Sequence, residues 1–338
     1  MSRRRSLIGA IGVTGLVIAA LSGCGAARRP TAASATTRTT ARTGPSTSAS
    51  TGAASATSSS GQTTTTRTTQ TARRPRDPSH PVVSHLGTPG RRWRAVVTVR
   101  GRTAAWVAER DGVTMLRFNQ RVARLVLHAG SVDPGGGGWR YGDAIVGAER
   151  RRLIAAFNAG FKLDTGAGGW RSGNRTAVPL MRGRASIVTY RNGFTDIGAW
   201  GQGVPSRQPI ASVRQNLYLL VSHGVAASSV GCIETCWGAT VGGVLSVARS
   251  ALGIDAHGRL IYGAAASATP ATLAQGLIDG GVRRAAELDI NPDWVAAYLY
   301  RHPRRGPPRY VPVIPGQYGV YGQFLLPYSR DFFAVIAR

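Results

Sequence analysis

From residue 93 onward the chain alternates apolar and polar positions in short runs, the period of a strand with one buried face. Residues 93–99, 104–109 and 113–118 are β-rich and are separated by Arg-Gly and Asp-Gly pairs, which predict hairpin turns. Further strands are predicted over 123–128, 153–157, 185–190, 195–200, 217–221, 252–254, 260–262, 282–290 and 331–336. One helix interrupts them. Thr269 is placed to cap it, Pro270 suits its first position, Leu273, Leu277 and Ile278 share a face, and Gly280-Gly281 stops it. Hairpins with so few helices predict an α+β fold built on a mixed, largely antiparallel sheet.

The N-terminal pattern is of another kind. Arg3, Arg4 and Arg5 precede an apolar run over 7–21 that ends in Leu21-Ser22-Gly23-Cys24. That order describes an export signal, and the run falls short of the about 20 residues a spanning helix needs. Leu-Ser-Gly-Cys resembles the lipobox of bacterial lipoproteins, which implies acylation of Cys24 after cleavage; a plain signal peptide or an uncleaved anchor is the competing reading. Residues 25–80 are mostly Thr, Ser, Ala, Gly, Pro and Arg with almost no large apolar side chain. Such a stretch buries too little surface to offset its ordering entropy, so a disordered tether is expected. A flexible chain of about 50 residues reaches roughly 40 Å. The expected organisation is a lipoprotein signal peptide over 1–24, a tether over 25–80 and one domain over 81–338, held outside the cytoplasm by lipid on the cell membrane.

Charge narrows the partners. The net charge is +27, and Lys162 is the single lysine among 42 basic residues. An Arg-rich, Ala- and Gly-rich chain also reflects GC-rich coding. What remains of the excess favours a polyanionic neighbour, such as a phosphate-bearing glycan or cell-wall polymer. Nucleic acid is not expected, because no nucleic-acid module is recognisable in an exported chain. Of the three cysteines, Cys232 and Cys236 are left as a pair once Cys24 carries lipid. An oxidising compartment favours a disulfide between them over a metal site, which needs more ligands than His223 supplies nearby. No metal or other cofactor is expected, and nothing in the sequence indicates Ca²⁺.

Three stretches carry candidate chemistry. In Glu287-Leu288-Asp289-Ile290-Asn291, strand geometry sends Glu287, Asp289 and Asn291 to one face, with Leu288 and Ile290 beneath. Carboxylates two residues apart stand roughly 6.6 Å apart along a strand, near the spacing that glycoside hydrolysis uses; a solvated strand face is the plain alternative. Arg249 opens an apolar run and can fork onto phosphate, while Asp255 ahead of Gly258 is expected to cap a turn. In Phe157-Asn158-Ala159-Gly160-Phe161, Gly160 permits an unusual backbone and Asn158 offers an amide to a ligand or to its own turn. Asp133-Pro134 followed by Gly135 to Gly138 reads as a surface loop, since no Lys-Ser/Thr comes after it to make a phosphate loop.

Together, and in this order, Phe157-Asn158-Ala159-Gly160-Phe161, the stretch from Arg249 through Asp255-Ala256-His257-Gly258-Arg259-Leu260, and Glu287-Leu288-Asp289-Ile290-Asn291-Pro292 resemble the phosphodiester glycosidase family. The intervening Ser212-Val213-Arg214-Gln215-Asn216-Leu217 looks like its bacterial branch. The resemblance implies a phosphodiester-glycosidase-like fold and cleavage of a sugar-1-phosphodiester, releasing sugar and a phosphomonoester. It makes Arg249 the phosphate clamp and Asp289 the acid/base or nucleophile; Glu287, from strand geometry alone, is the expected partner of Asp289. Asn158, Gly160 and Asn291 are the expected substrate-binding residues. Two departures stand out: Ile290-Asn291-Pro292-Asp293 replaces the family's Gly-Gly-Gly-Ser, and Lys162 replaces a common second Phe. A non-catalytic polysaccharide-binding or envelope-scaffolding lipoprotein is the alternative.

Overall fold

The computed structural model describes residues 80–318 and 320–338. The expected signal peptide at 1–24 with Cys24, and all but the last residue of the expected tether, lie outside the described residues.

Three sheets, antiparallel at every pairing, frame the described residues. The largest has nine strands, in the order Val82–Val83, Arg94–Val99, Arg102–Arg110, Val113–Phe118, Leu260–Ala268, Val247–Asp255, Val282–Ile290, Leu219–Ser222 and Val225–Ala226. A second runs Thr195–Ala199, Ala185–Tyr190, Ile210–Gln215, Trp170–Ser172 and Arg175–Val178. A third runs Arg309–Pro312, Ala297–Arg301, Leu153–Asn158, Phe332–Ala337 and Ala123–His128. Largely antiparallel sheet with few helices is therefore what the chain builds.

The main core lies where the three sheets meet. Leu252 and Ile254 of the first, Ile187 of the second, and Leu125, Phe157 and Val335 of the third share one cluster of buried side chains. The opposite face of the nine-stranded sheet is covered by the helix Pro270–Asp279, whose Leu273 and Leu277 pack with Ala251 and Val221. Its start is as the sequence predicts: the Thr269 hydroxyl accepts from the Thr272 N–H at 3.1 Å, satisfying one of the donors that a helix start leaves open. At Gly276 an added Cβ would meet Val113 at 2.6 Å, so only glycine lets the helix approach this closely. Asp255 caps its turn as expected, accepting from the N–H groups of His257 and Arg259, both at 2.9 Å.

A one-residue bulge interrupts the pairing of Val247–Asp255 with Val282–Ile290. Arg249 stands opposite Ile290 and Ala251 opposite Glu287, so three steps of one strand answer two steps of its neighbour. Bulges re-aim side chains at the ends of sheets. Here the regular alternation assumed for 287–291 breaks at its centre.

Candidate active site

A cavity of about 850 Å³ opens at this bulge. Asp289, Ile290 and Asn291 form its floor, and Phe161, Lys162, Arg184, Tyr218, Trp237, Trp294 and Arg330 are among the walls. Asp289 is 5% exposed, and its Oδ2 lies 2.7 Å from Nη2 of Arg330. That same Nη2 donates to the Gly160 carbonyl at 3.1 Å, and the guanidinium lies 4.5 Å from the centre of the Trp294 ring. Carbonyl, carboxylate and ring together fix the guanidinium plane, which turns a long flexible side chain into a preorganised cation.

Burial pushes the Asp289 carboxyl up to about 7; Arg330 and the Ile290 N–H oppose that shift, and the neighbouring Asp331 adds to it. A carboxyl poised there exchanges protons readily near neutrality.

The bulge separates the two carboxylates that the strand pattern had put together. Glu287 does not reach the cavity. It is fully buried, and its Oε1 takes a hydrogen bond from Nη1 of Arg249 at 2.9 Å. Arg249 is equally buried and also donates to the carbonyls of Trp237 (3.0 Å) and Ala268 (3.1 Å). This geometry corrects the expected roles of both. Arg249 stands behind the wall, holding Trp237, and is not placed to clamp a phosphate in the cavity. Glu287 is paired with Arg249 rather than set across a substrate from Asp289; burial, against the opposing pull of Arg249, drives its pKa up to about 8. Ile290, expected beneath the strand, instead lies on the cavity floor.

The smaller expectations divide in the same way. Asn158 is buried, donating to Ser250 Oγ at 2.9 Å and accepting from the Tyr262 hydroxyl at 3.2 Å and the Ala296 N–H at 3.3 Å. It locks two sheets together rather than presenting an amide to the cavity. Gly160 needs to be small rather than left-handed: a Cβ would meet the Arg214 and Asn216 side chains at 3.0 Å. Asn291 does line the cavity, in a left-handed backbone (φ +72°) that asparagine tolerates, and its Oδ1 accepts from the Val241 N–H at 3.0 Å. Cys232 and Cys236 form the expected disulfide across the helix Ile233–Trp237, and Cys236 reaches the cavity wall. Among the described residues, no group of three or more His, Cys, Asp or Glu side chains is placed to hold a metal ion.

Arg330 is the site residue that the sequence did not single out. It sits just ahead of the last strand in Ser329-Arg330-Asp331, where no periodicity or motif marks it. Its neighbour Asp331 accepts from Arg214 Nε at 2.6 Å and from the Trp170 indole at 3.2 Å. Three buried arginine–carboxylate pairs, Arg249–Glu287, Arg330–Asp289 and Arg214–Asp331, thus gather at this end of the sheets.

No family model matches the chain, and no curated protein matches it. Among solved structures it is similar to the zebrafish N-acetylglucosamine-1-phosphodiester alpha-N-acetylglucosaminidase catalytic domain, auto-inhibited by its pro-peptide (16% identity over 77% of this chain and 87% of that one, TM-score 0.43). It is also similar to a hypothetical Synechocystis protein (14% identity, 72% and 66% covered, TM-score 0.39) and to a Burkholderia pseudomallei protein (11% identity, 70% and 75% covered, TM-score 0.34).

Proposed function

We propose that this chain is an extracytoplasmic, lipid-anchored glycosidase that hydrolyses sugar-1-phosphodiester linkages in envelope or exported glycans, with Asp289 as its reacting carboxyl. The observation that carries this reading is the Asp289–Arg330 pair on the cavity floor: a proton acceptor poised near neutrality, touching a fixed cation, between aromatic walls. The motif resemblance around Asn158, Arg249 and Asp289 points to the same reaction class. In this scheme the phosphodiester lies against Arg330, with Lys162 and Arg184 also lining the cavity, and the sugar ring lies on Phe161. Water attacks the anomeric carbon and gives a proton to the Asp289 carboxylate. The carbon–oxygen bond to phosphate breaks, its electron pair stays on the phosphate oxygen, and the proton held by Asp289 passes on to solvent. A phosphomonoester anion leaves readily without a general acid. One reacting carboxyl therefore suffices, and Glu287 is free to serve as the partner of Arg249 behind the wall.

The test is release of reducing sugar from a panel of sugar-1-phosphate diesters by the purified protein. Asp289→Asn should lower turnover by about 10²–10⁴ with ligand binding kept. A wild-type protein that binds such glycans but hydrolyses none of the panel would support instead the polysaccharide-binding lipoprotein, a reading to which the replaced glycine loop at 290–293 lends weight.

A further inference from the structure

A second cavity, of about 690 Å³, lies between the edge strand Ala123–His128 and the strands Trp170–Ser172 and Ile210–Gln215, and it shares no lining residue with the Asp289 cavity. Arg124, Arg140, Arg175 and Arg191 line it, and no Asp or Glu does. None of the four forms a salt bridge among the described residues. Glu149 is the acid that feels Arg124 and Arg140; it does not line the cavity, and burial raises its carboxyl above the ordinary value while those arginines pull it down.

Three of these guanidiniums are already held in place. Arg175 lies 3.8 Å from the centre of the Trp139 ring and donates to the Gly137 carbonyl at 3.2 Å. Arg140 lies over Tyr141 at 5.4 Å, and Arg124 donates to the Tyr141 hydroxyl at 3.3 Å. Restricted arginines lose less freedom when an anion binds. Four cations along one groove that no carboxylate lines fit a chain of successive anions better than a single one.

The aromatic rings decide which chain. Single-stranded nucleic acid is bound through bases stacked on open rings. The Trp139 face is taken by Arg175, and Trp170 packs against Trp139 in a T-shaped contact at 4.7 Å. Of the other lining rings, Tyr141 carries Arg140 and Tyr190 is buried, and beside the aliphatic Leu125, Val126 and Leu127 the groove offers hydroxyl and amide groups, Ser172 and Asn174 among them. Such groups match polyol or sugar hydroxyls.

We propose that this groove binds a stretch of phosphodiester-linked polyol or glycan polymer, with successive phosphates on the arginines and hydroxyls between them. The site is independent of the glycosidase reading, and it would hold such a polymer whether or not the Asp289 cavity cleaves anything.

The experiment titrates the purified full-length protein with poly(glycerol phosphate) at low salt, beside inorganic phosphate and an oligo-dT of equal charge. Binding of the polymer is expected to exceed that of either comparison. The double variant Arg140→Gln/Arg191→Gln should weaken it by about tenfold or more, the effect of losing two charge-assisted contacts. Both side chains are exposed, so the fold tolerates the change, and an unaltered melting temperature verifies this. Arg100→Gln/Arg102→Gln removes the same charge from an exposed hairpin and should leave affinity within about twofold, separating a site from a general field. The proposal is overturned if the polymer does not bind, if both double variants lose affinity alike, or if Arg140→Gln/Arg191→Gln binds as the wild type does. Oligo-dT bound as tightly as the polymer would overturn it in favour of nucleic acid.

Discussion

Replacing Glu287 by Gln tests the buried pair behind the cavity wall. The side chain is fully buried, and burial against Arg249 raises its pKa from 4.5 to about 8. A carboxyl whose folded value lies above its unfolded value stabilises most below the unfolded value, and that contribution is lost as pH rises through the folded one. At 1.36 kcal/mol per pKa unit, the wild type should lose about 3 kcal/mol relative to Glu287→Gln between pH 4.5 and pH 7.5. Glutamine keeps an oxygen for Arg249 Nη1 but puts an amide where Glu287 Oε2 has no partner. That adds a constant penalty of about 1 kcal/mol at every pH. The quantity to measure is therefore the change in the stability difference with pH, from urea denaturation of both proteins. In a domain this size it corresponds to a divergence of roughly 6–12 °C in melting temperature. The contribution from Asp331 is common to both proteins and cancels, and that from Asp289 cancels apart from its repulsion with Glu287. A difference that stays flat, or one that moves in favour of the wild type as pH rises, would show that Glu287 is ionised in an ordinary ion pair and refute the reasoning.

Three further outcomes are set by the site's geometry. Arg330→Gln removes the charge that opposes the upward shift of Asp289, so the rising limb of the rate–pH profile should move about one unit higher, and a limb that stays in place contradicts the pairing. Gly130→Ala puts a Cβ 2.4 Å from the Arg330 carbonyl carbon and the Ser329 oxygen; a backbone clash of this kind should cost about 2–3 kcal/mol in denaturation and lower turnover by displacing Arg330. Cys232→Ser/Cys236→Ser opens a short loop beside the cavity, with an expected loss of about 2 kcal/mol that reduction of the wild type should reproduce.

The strands that the sequence revealed are those with one wet face or a clean apolar run. Residues 113–118, 123–128, 185–190 and 282–290 carry the predicted bounds. Val247–Asp255 is buried along all nine residues yet holds Arg249, Ser250 and Asp255, so only its apolar stretch at 252–254 has the look of a strand. Ile210–Gln215 escapes the pattern for the same reason, its Arg214 and Gln215 being buried polar groups satisfied by distant partners. Trp170–Ser172 and Arg175–Val178 are too short and polar to show a period. The position of Asp289 was legible because an acid among apolar neighbours stands out. Its partner was not, because Arg330 lies 41 positions on along an Arg-rich chain and only the fold brings it back. The bulge was equally invisible, since register is a property of two strands and not of one.

The distribution of buried charge bears on what the cavity is for. Among the described residues, the buried charged side chains are Arg214, Arg249, Asp255, Glu287, Asp289, Arg330 and Asp331, together with the titratable His128. Asp255 serves its turn, and desolvation holds His128 down at about 4, neutral at physiological pH. All the others belong to the three arginine–carboxylate pairs at the end of the sheets where the Asp289 cavity opens. Buried arginine–carboxyl pairs, ionised or not, contribute little to stability, because desolvation cancels most of their attraction, and apolar replacements of equal volume are often at least as stable. A fold selected for stability alone has no reason to gather three of them in one place. Orientation is what such pairs supply: Arg214 carries the Phe161 carbonyl as well as Asp331, Arg249 carries that of Trp237, and Arg330 carries that of Gly160. Each pair thereby fixes a backbone segment at or beside the cavity wall. A wall held this firmly around one carboxyl with a raised pKa is the arrangement expected where a reacting group must be positioned before its substrate arrives.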